Sequence, residues 1–308
     1  MLRDAETIVP ADEIATGHYG TLGTAIDYRL RYCFAVTPYR ELAAWKGAVR
    51  VSGEPIPWTI VVSDEEWVRL DNLIRWEDLG IPLSLPKIAI EGFFQDLDKV
   101  ISKLQPAGRK LNCDDEQLLN RYCIVLALFE QCFRRMPSPT WPLFQANVQS
   151  ANDLLKLSPA QWIDDLCAMS EAFYDYFKDG LKRQAILNPN FDGSVLIGGA
   201  DADIILEMFS GSWCLVDFKT TVNARIEGRW LHQLLGYCLL DFSNRYRIER
   251  VGFYLPRQAR FIGWDLADLV KRLGAEQHLP LAKLRSEFCE IVESLPSVST
   301  AIQSAAQS

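Results

Sequence analysis

The segment from residue 198 to residue 220 constrains this chain more than any other. Two apolar runs, residues 204–206 and 213–216, flank a Ser-Gly pair at 210–211. Short apolar runs on either side of such a pair predict a β-hairpin with a tight or slightly widened turn. Aspartates precede the first run, and an aspartate and a lysine follow the second. The hairpin therefore brings charged side chains from both strands to one end of a small sheet.

The register of the hairpin depends on the length of its loop. A three-residue loop, residues 209–211 with the glycine in the left-handed conformation, places Asp203 opposite Asp217 and Asp201 opposite Lys219. A two-residue loop would shift the register by one residue and send Asp203 and Asp217 to opposite faces. We predict the longer loop. Because side chains alternate along a strand, Lys219 then shares a face with Asp217.

Two carboxylates and an ammonium on one face suit the binding of a divalent cation and the cleavage of a phosphodiester. The alternative is that Asp217 and Lys219 are ordinary surface charges on an edge strand, paired with nearby groups. Against that alternative, Asp and Lys are poor strand formers, yet they directly follow the apolar run 213–216. Charged groups at the end of a buried strand favour a functional interpretation.

These residues resemble the motifs of a known superfamily. Asp203, the Asp-Phe-Lys triplet at 217–219, and Gln233 with Tyr237 are similar to the PD-(D/E)XK nucleases, specifically their RecB-like branch. That branch has an aspartate after a small-residue turn, a D-x-K on the next strand and a Q-x-x-x-Y on the following helix. Gln233 and Tyr237 are four residues apart, so they share one face of a helix. The resemblance covers about residues 186–265 and extends to a group of uncharacterised bacterial proteins of this superfamily.

The resemblance implies a magnesium or manganese site and a role for each residue. Asp203, Asp217 and the carbonyl oxygen of Phe218 would hold the ion. Asp201 shares the face of Asp203 because the two are two residues apart, so it is a candidate second ligand or outer partner. Lys219 would orient or deprotonate the attacking water. Gln233 and Tyr237 would position the nucleic-acid backbone or the lysine. By their place on the segment leading into the helix, Arg225 and Arg229 are candidates for phosphate contacts; the alternative is that they are solvated surface charges.

An early helix also resembles a site helix of this branch, which carries a Gly-x-x-x-His motif whose histidine binds metal. The corresponding segment, residues 22–28, has Asp27 in place of that histidine. Aspartate is a harder oxygen ligand and suits Mg²⁺ at least as well as imidazole does. The alternative is that Asp27 faces solvent on an amphipathic helix over residues 24–35.

Composition bears on partners and on compartment. The chain of 308 residues has a formal net charge of −8, which argues mildly against a tight, non-specific DNA binder unless a protein partner supplies affinity. The eight cysteines have no C-x-x-C spacing typical of zinc or iron–sulfur sites. We expect a soluble, cytoplasmic protein without a signal peptide or membrane segment.

The predicted fold is α/β: a restriction-endonuclease-like core with a small mixed sheet flanked by helices and a helical N-terminal insertion. We divide the chain into an N-terminal site helix (1–37), a mostly helical insertion or lobe (38–157), the PD-(D/E)XK catalytic core (158–295) and a disordered tail (296–308). The patterns predict strands at 48–51, 58–62, 251–255 and 260–264, and helices that begin at 63 or cover 114–135, 158–182, 265–274 and 279–293.

The predicted function is that of a Mg²⁺-dependent nuclease acting on DNA. The resemblance suggests a setting in phage defence, restriction or repair, with protein partners of a defence or repair complex. Two alternatives stay open: a catalytically inactive DNA-binding or scaffold subunit of the same fold, and a nuclease directed at RNA.

Overall fold

A computed structural model of the chain describes residues 7–8, 18–52, 85–134, 140–181, 183–197, 199–208, 210–223, 225–274 and 280–295. These residues form two compact units. The helical unit contains the described residues between 10 and 171, and the sheet unit contains those from 172 onward together with residues 7 and 8. The division of the chain into segments 1–37, 38–157, 158–295 and 296–308 stays a prediction.

The helical unit is built from α-helices: α1 (Tyr19–Arg31), α2 (Ala43–Arg50), α3 (Lys87–Leu104), α4 (Cys113–Arg134), α5 (Pro142–Gln145) and α6 (Ala151–Leu155). Helix α7 (Ala160–Phe177) begins in this unit and ends in the sheet unit. The predicted helix over 114–135 is confirmed as α4. The helix predicted for 158–182 is confirmed as α7, which ends at Phe177, and the helix predicted for 24–35 is α1, which begins and ends earlier.

The close packing of α2 on α4 explains one wrong prediction. Residues 48–51 were expected to form a strand, but they complete α2 and the turn after it. Ala44, Trp45, Ala48 and Val49 are buried at helical spacing, a period that a four-residue window cannot reveal. Gly47 permits the contact, because a Cβ at this position would lie 1.8 Å from the carbonyl oxygen of Phe129. The predicted strand at 58–62, the helix start at 63 and the tail from 296 lie outside the described residues.

The sheet unit contains β1 (Ala185–Leu187), β2 (Ile204–Glu207), β3 (Trp213–Phe218), α8 (Gly228–Leu240), β4 (Ile248–Leu255), β5 (Arg260–Asp265), α9 (Leu266–Leu273) and α10 (Leu281–Glu293). The strand order is β1-β2-β3-β4-β5. All neighbours are antiparallel except β3 and β4, which are parallel. A parallel pair needs a long crossover connection, and α8 supplies it. The predicted mixed α/β class, the second hairpin and the two C-terminal helices are confirmed.

Each face of the sheet packs against a different helix. One face contributes Ile205, Leu215 and Phe253 to a buried core that also contains Leu234 and Cys238 of α8. On the other face, aromatic rings of β3 and β4 meet rings from the end of α7: Phe218, Tyr254, Phe173 and Phe177. The alternation of side chains along β3 produces this division, so Asp217 and Lys219 belong to the face covered by α8.

None of the helices in the described ranges combines the length and the apolar character needed to cross a bilayer.

Substitution of Gly252 by alanine tests the packing of β4 on β5. The added methyl carbon would lie 2.5 Å from the Phe261 ring and 2.7 Å from the Ile262 carbonyl oxygen. We expect the free energy of unfolding to fall by about 1–3 kcal/mol, as for other overpacked sites. Urea denaturation followed by tryptophan fluorescence measures the change.

Gly236→Ala is the matched control, because a Cβ at this position of α8 meets nothing within 4 Å. Helix propensity predicts a gain of about 0.5–1 kcal/mol for this variant. Equal destabilisation by both substitutions would contradict the steric argument.

Candidate functional site

The hairpin between β2 and β3 has the predicted register. Ile204 pairs with Val216, and Glu207 pairs with Trp213. The N–H of Met208 donates to the Ser212 carbonyl oxygen at 2.8 Å, which closes the loop. The predicted left-handed glycine is confirmed, since φ of Gly211 is +79°, while the first loop residue, 209, lies outside the described residues.

Asp203 and Asp217 meet at the end of this hairpin. Extending the register by one residue places them across from each other, where Cα atoms of antiparallel partners are about 4.5–5.5 Å apart. Oδ2 of Asp203 accepts a hydrogen bond from the Phe218 backbone N–H at 2.7 Å. Asp217 is only 3% exposed. Both carboxylates are thus held at the C-terminal end of β3.

Lys219 joins Asp217 to α8. Its Nζ lies 2.6 Å from Oδ2 of Asp217 and donates to Oε1 of Gln233 at 2.9 Å. The Lys219 backbone N–H donates to the Tyr254 carbonyl oxygen at 3.0 Å, which continues the pairing of β3 with β4. The ammonium therefore lies on the same face as Asp217, as the two-residue spacing predicts.

Gln233 and Tyr237 extend these contacts along α8. An ammonium can only donate, so Gln233 presents its carbonyl oxygen to Lys219 and its amide nitrogen to the other side. That nitrogen, Nε2, donates to the Tyr237 hydroxyl at 2.7 Å. The contacts run without interruption from Asp217 through Lys219 and Gln233 to Tyr237.

The pKa of the Tyr237 hydroxyl reflects the electrostatics of the site. Burial raises the pKa of Tyr237, and the negative charges of Asp217, Asp203 and Asp201 raise it further, against the opposing hydrogen bond from Gln233. The hydroxyl therefore stays protonated and able to donate at neutral pH. The three negative charges of these aspartates outnumber the single positive charge of Lys219. The electrostatic potential at the site therefore favours binding of a cation.

Asp201 lies just outside the β2–β3 ladder. Asp201 is exposed, and its backbone pairs with that of Asn190 in an isolated antiparallel bridge. Its position opposite Lys219 and its role as a second ligand stay predictions.

The two arginines near the start of α8 are exposed. Arg225 lies before the helix, whereas Arg229 lies in its first turn rather than on the preceding segment, and its Nε is 2.5 Å from Oε2 of Glu227. Contacts of either residue with phosphate stay predictions.

Asp27 belongs to the helical unit, on α1. Its carboxylate forms a two-point ion pair with Arg31 one turn further along, with Nε to Oδ1 at 2.9 Å. The Asp27 side chain is 17% exposed to solvent. Its role as a metal ligand stays a prediction.

Two contacts at the site were not anticipated from the sequence. Gln258, which is 6% exposed, donates through Nε2 to the carbonyl oxygens of Thr221 and Val222, both at 3.0 Å. These hydrogen bonds fix the backbone that follows Lys219. Phe191 stacks on Tyr237 with ring centroids 5.6 Å apart. The turn-forming residues around 188–193 indicate a loop, but no local signal points to either contact.

The donor chemistry of the site fits Mg²⁺ or Mn²⁺. Magnesium is usually held by one or two carboxylates, with waters and substrate phosphates completing its octahedron. Asp203, directly before β2, and Asp217, in β3, supply two such carboxylates. Within the described part of the chain, no group of three or more His, Cys, Asp or Glu side chains is arranged to hold a metal ion.

No protein-family model matches the chain, and comparisons with curated proteins and with solved structures also found no match.

Proposed function

We propose that this protein is a Mg²⁺- or Mn²⁺-dependent nuclease that hydrolyses phosphodiester bonds of DNA, on a core of the PD-(D/E)XK type. The observation that carries the proposal is the position of Lys219, whose ammonium is held between Asp217 and Gln233 at the end of the hairpin that brings in Asp203. Lys219 differs from an exposed surface lysine, because its side chain is 19% exposed and contacts a buried carboxylate.

Asp203 and Asp217 would hold the ion, with the carbonyl oxygen of Phe218 as a further ligand. When bound, the ion lowers the pKa of its water and neutralises charge that develops on the scissile phosphate. Asp203 is suited to this role because the Phe218 N–H fixes the orientation of its carboxylate.

Lys219 would orient the attacking water and counter negative charge on the phosphate. Its ammonium is a compact point charge, and two acceptors fix its location, so little reorganisation is needed when substrate binds. Gln233 holds Lys219 from the helix side, and the protonated Tyr237 hydroxyl offers a donor to a substrate oxygen. The biological setting in phage defence, restriction or repair, and the presence of protein partners there, are part of the proposal.

A cleavage assay on three labelled substrates tests the function directly. Purified protein is incubated with single-stranded DNA, duplex DNA and RNA, in Mg²⁺ and in EDTA. We expect Mg²⁺-dependent cleavage of DNA that EDTA abolishes. Cleavage of RNA alone would replace DNA by RNA as the substrate, and Mg²⁺-independent cleavage would contradict the proposed chemistry.

Asp203→Asn is expected to abolish metal binding while leaving the fold intact. The amide oxygen of asparagine can still accept from the Phe218 N–H, but a neutral amide is a much weaker ligand for Mg²⁺ than a carboxylate. Titration calorimetry with Mn²⁺ should show heat of binding for the wild type and none for this variant.

Asp268→Asn, an exposed aspartate in the first turn of α9, is the control and should bind Mn²⁺ as the wild type does. If the wild type shows no Mn²⁺-dependent heat that Asp203→Asn abolishes and cleaves no substrate, the result favours the catalytically inactive DNA-binding or scaffold subunit. If no binding is seen at all, the metal site is refuted.

A further inference from the structure

The loop that follows α8, residues 241–246, is held in one conformation by two carboxylates. Asp241, which is fully buried, accepts from the backbone N–H of Arg245 at 3.0 Å and of Tyr246 at 3.3 Å. Asp192 accepts from the N–H of Ser243 at 2.7 Å. The loop is therefore fixed by hydrogen bonds from its own backbone amides.

This loop adjoins the candidate site through Asn190 and Phe191. The Tyr246 hydroxyl donates to the Asn190 carbonyl oxygen at 2.8 Å, and Asn190 pairs with Asp201. The Tyr246 ring meets Phe191 edge-on at 5.6 Å, on the same ring that stacks on Tyr237. The loop therefore lies next to the acidic end of the site.

Arg245 is ordered on this loop by neutral groups. Its guanidinium lies over the Tyr246 ring, 4.6 Å from the centroid, and its Nη2 donates to the Tyr246 hydroxyl at 2.6 Å and to the Asn190 carbonyl oxygen. The contacts of the guanidinium are thus with an aromatic ring, a hydroxyl and a backbone carbonyl oxygen. The side chain is exposed. Its positive charge is thus positioned by neutral groups, and Asp192 is a carboxylate that interacts with it electrostatically.

The positive charge of Arg245 affects the pKa of Asp192. Burial acts to raise the pKa of Asp192, but hydrogen bonds from Ser243 and the charge of Arg245 outweigh it, so this pKa lies below its ordinary value. The loop therefore presents a fixed cation close to a site that is otherwise acidic. A phosphodiester strand approaching three carboxylates meets repulsion, and a cation beside them reduces that cost.

We propose that Arg245, held by Tyr246 and Asn190, binds a backbone phosphate of the nucleic-acid strand next to the cleavage site. The inference rests on the proposed nuclease function and deepens it by assigning a contact for the strand beyond the reacting phosphate. Arginine suits this task because its planar guanidinium offers several donors to phosphate oxygens. The contact positions the strand and takes no part in bond cleavage.

Salt-dependent binding of a single-stranded DNA tests the inference. The affinity of a fluorescein-labelled deoxyoligonucleotide is measured by fluorescence anisotropy in EDTA over a series of KCl concentrations. Loss of one phosphate contact makes the slope of log K against log salt shallower by about 0.7 for a single strand. We expect this change for Arg245→Gln, with affinity at low salt reduced about two- to fivefold.

Two further variants make the result specific. Arg247→Gln removes the same charge from an exposed residue two positions away and should leave the slope unchanged. Arg245→Lys retains a cation and should restore most of the slope. Thermal melting verifies that each variant is folded, which is expected because the loop is held through backbone amides.

The outcomes separate this inference from the proposed function. If the wild type cleaves DNA in Mg²⁺ but Arg245→Gln keeps the wild-type slope, the phosphate contact is refuted and the nuclease proposal stands. Equal loss of slope in Arg245→Gln and Arg247→Gln also refutes it, because the effect is then one of net charge. A wild type that neither binds nor cleaves the strand overturns both.

Discussion

Lys219→Ala is expected to slow phosphodiester cleavage by a factor on the order of 10²–10⁴, the usual contribution of a positioned acid–base group. The wild-type ammonium is held by Asp217 at 2.6 Å and by Gln233 at 2.9 Å, so it occupies the site before substrate arrives. Alanine removes both the charge and the donor. Single-turnover cleavage of a labelled DNA strand at saturating Mg²⁺ measures the rate of the chemical step.

Lys283→Ala is the matched control for this variant. Lys283 also faces a carboxylate, Glu287, but the pair is exposed on α10, and exposed pairs contribute little to stability. We expect unchanged cleavage from the control. Wild-type rates from a folded Lys219→Ala protein would remove the nuclease proposal, since the observation that carries it would then have no functional consequence.

The other large effect concerns stability and lies in the helical unit. Glu116→Gln is expected to reduce the free energy of unfolding by about 3 kcal/mol, the lower end of the range for breaking a buried ion pair. Glu116 accepts from Nε and Nη2 of Arg29 at 2.7 and 2.6 Å, and the Arg29 side chain is 3% exposed. Without the carboxylate, a buried guanidinium loses its charge partner. Urea denaturation followed by circular dichroism measures the change.

Two comparisons test the cause of that loss. Glu171→Gln breaks an exposed pair with Lys110 and should cost less than about 1 kcal/mol. The double variant Arg29→Met with Glu116→Leu removes both charges and should recover most of the stability, because well-packed apolar groups often replace buried pairs without loss. A double variant as unstable as Glu116→Gln would show that the loss does not come from the unpaired charge.

Local rules were reliable wherever one short segment decides the geometry. The three-residue loop at 209–211 sets the register of the hairpin, and the register places Asp203 near Asp217. The spacing of Gln233 and Tyr237 sets their shared helix face, and the two side chains are hydrogen-bonded. Local rules failed at residues 48–51, where four residues carry too little pattern to separate a strand from the end of a helix that packs on α4.

Local sequence was enough to predict the hairpin, the shared face of Asp217 and Lys219, and the helix that follows. Each of these depends on neighbours within a few residues, where backbone sterics and side-chain period act directly. Three contacts are visible only in the folded chain: Lys219 with Gln233, Gln258 with the carbonyl oxygens of Thr221 and Val222, and Arg245 with the carbonyl oxygen of Asn190, whose backbone pairs with Asp201. These contacts join residues distant in the chain, and they form because apolar packing of α8 on the sheet brings the elements together.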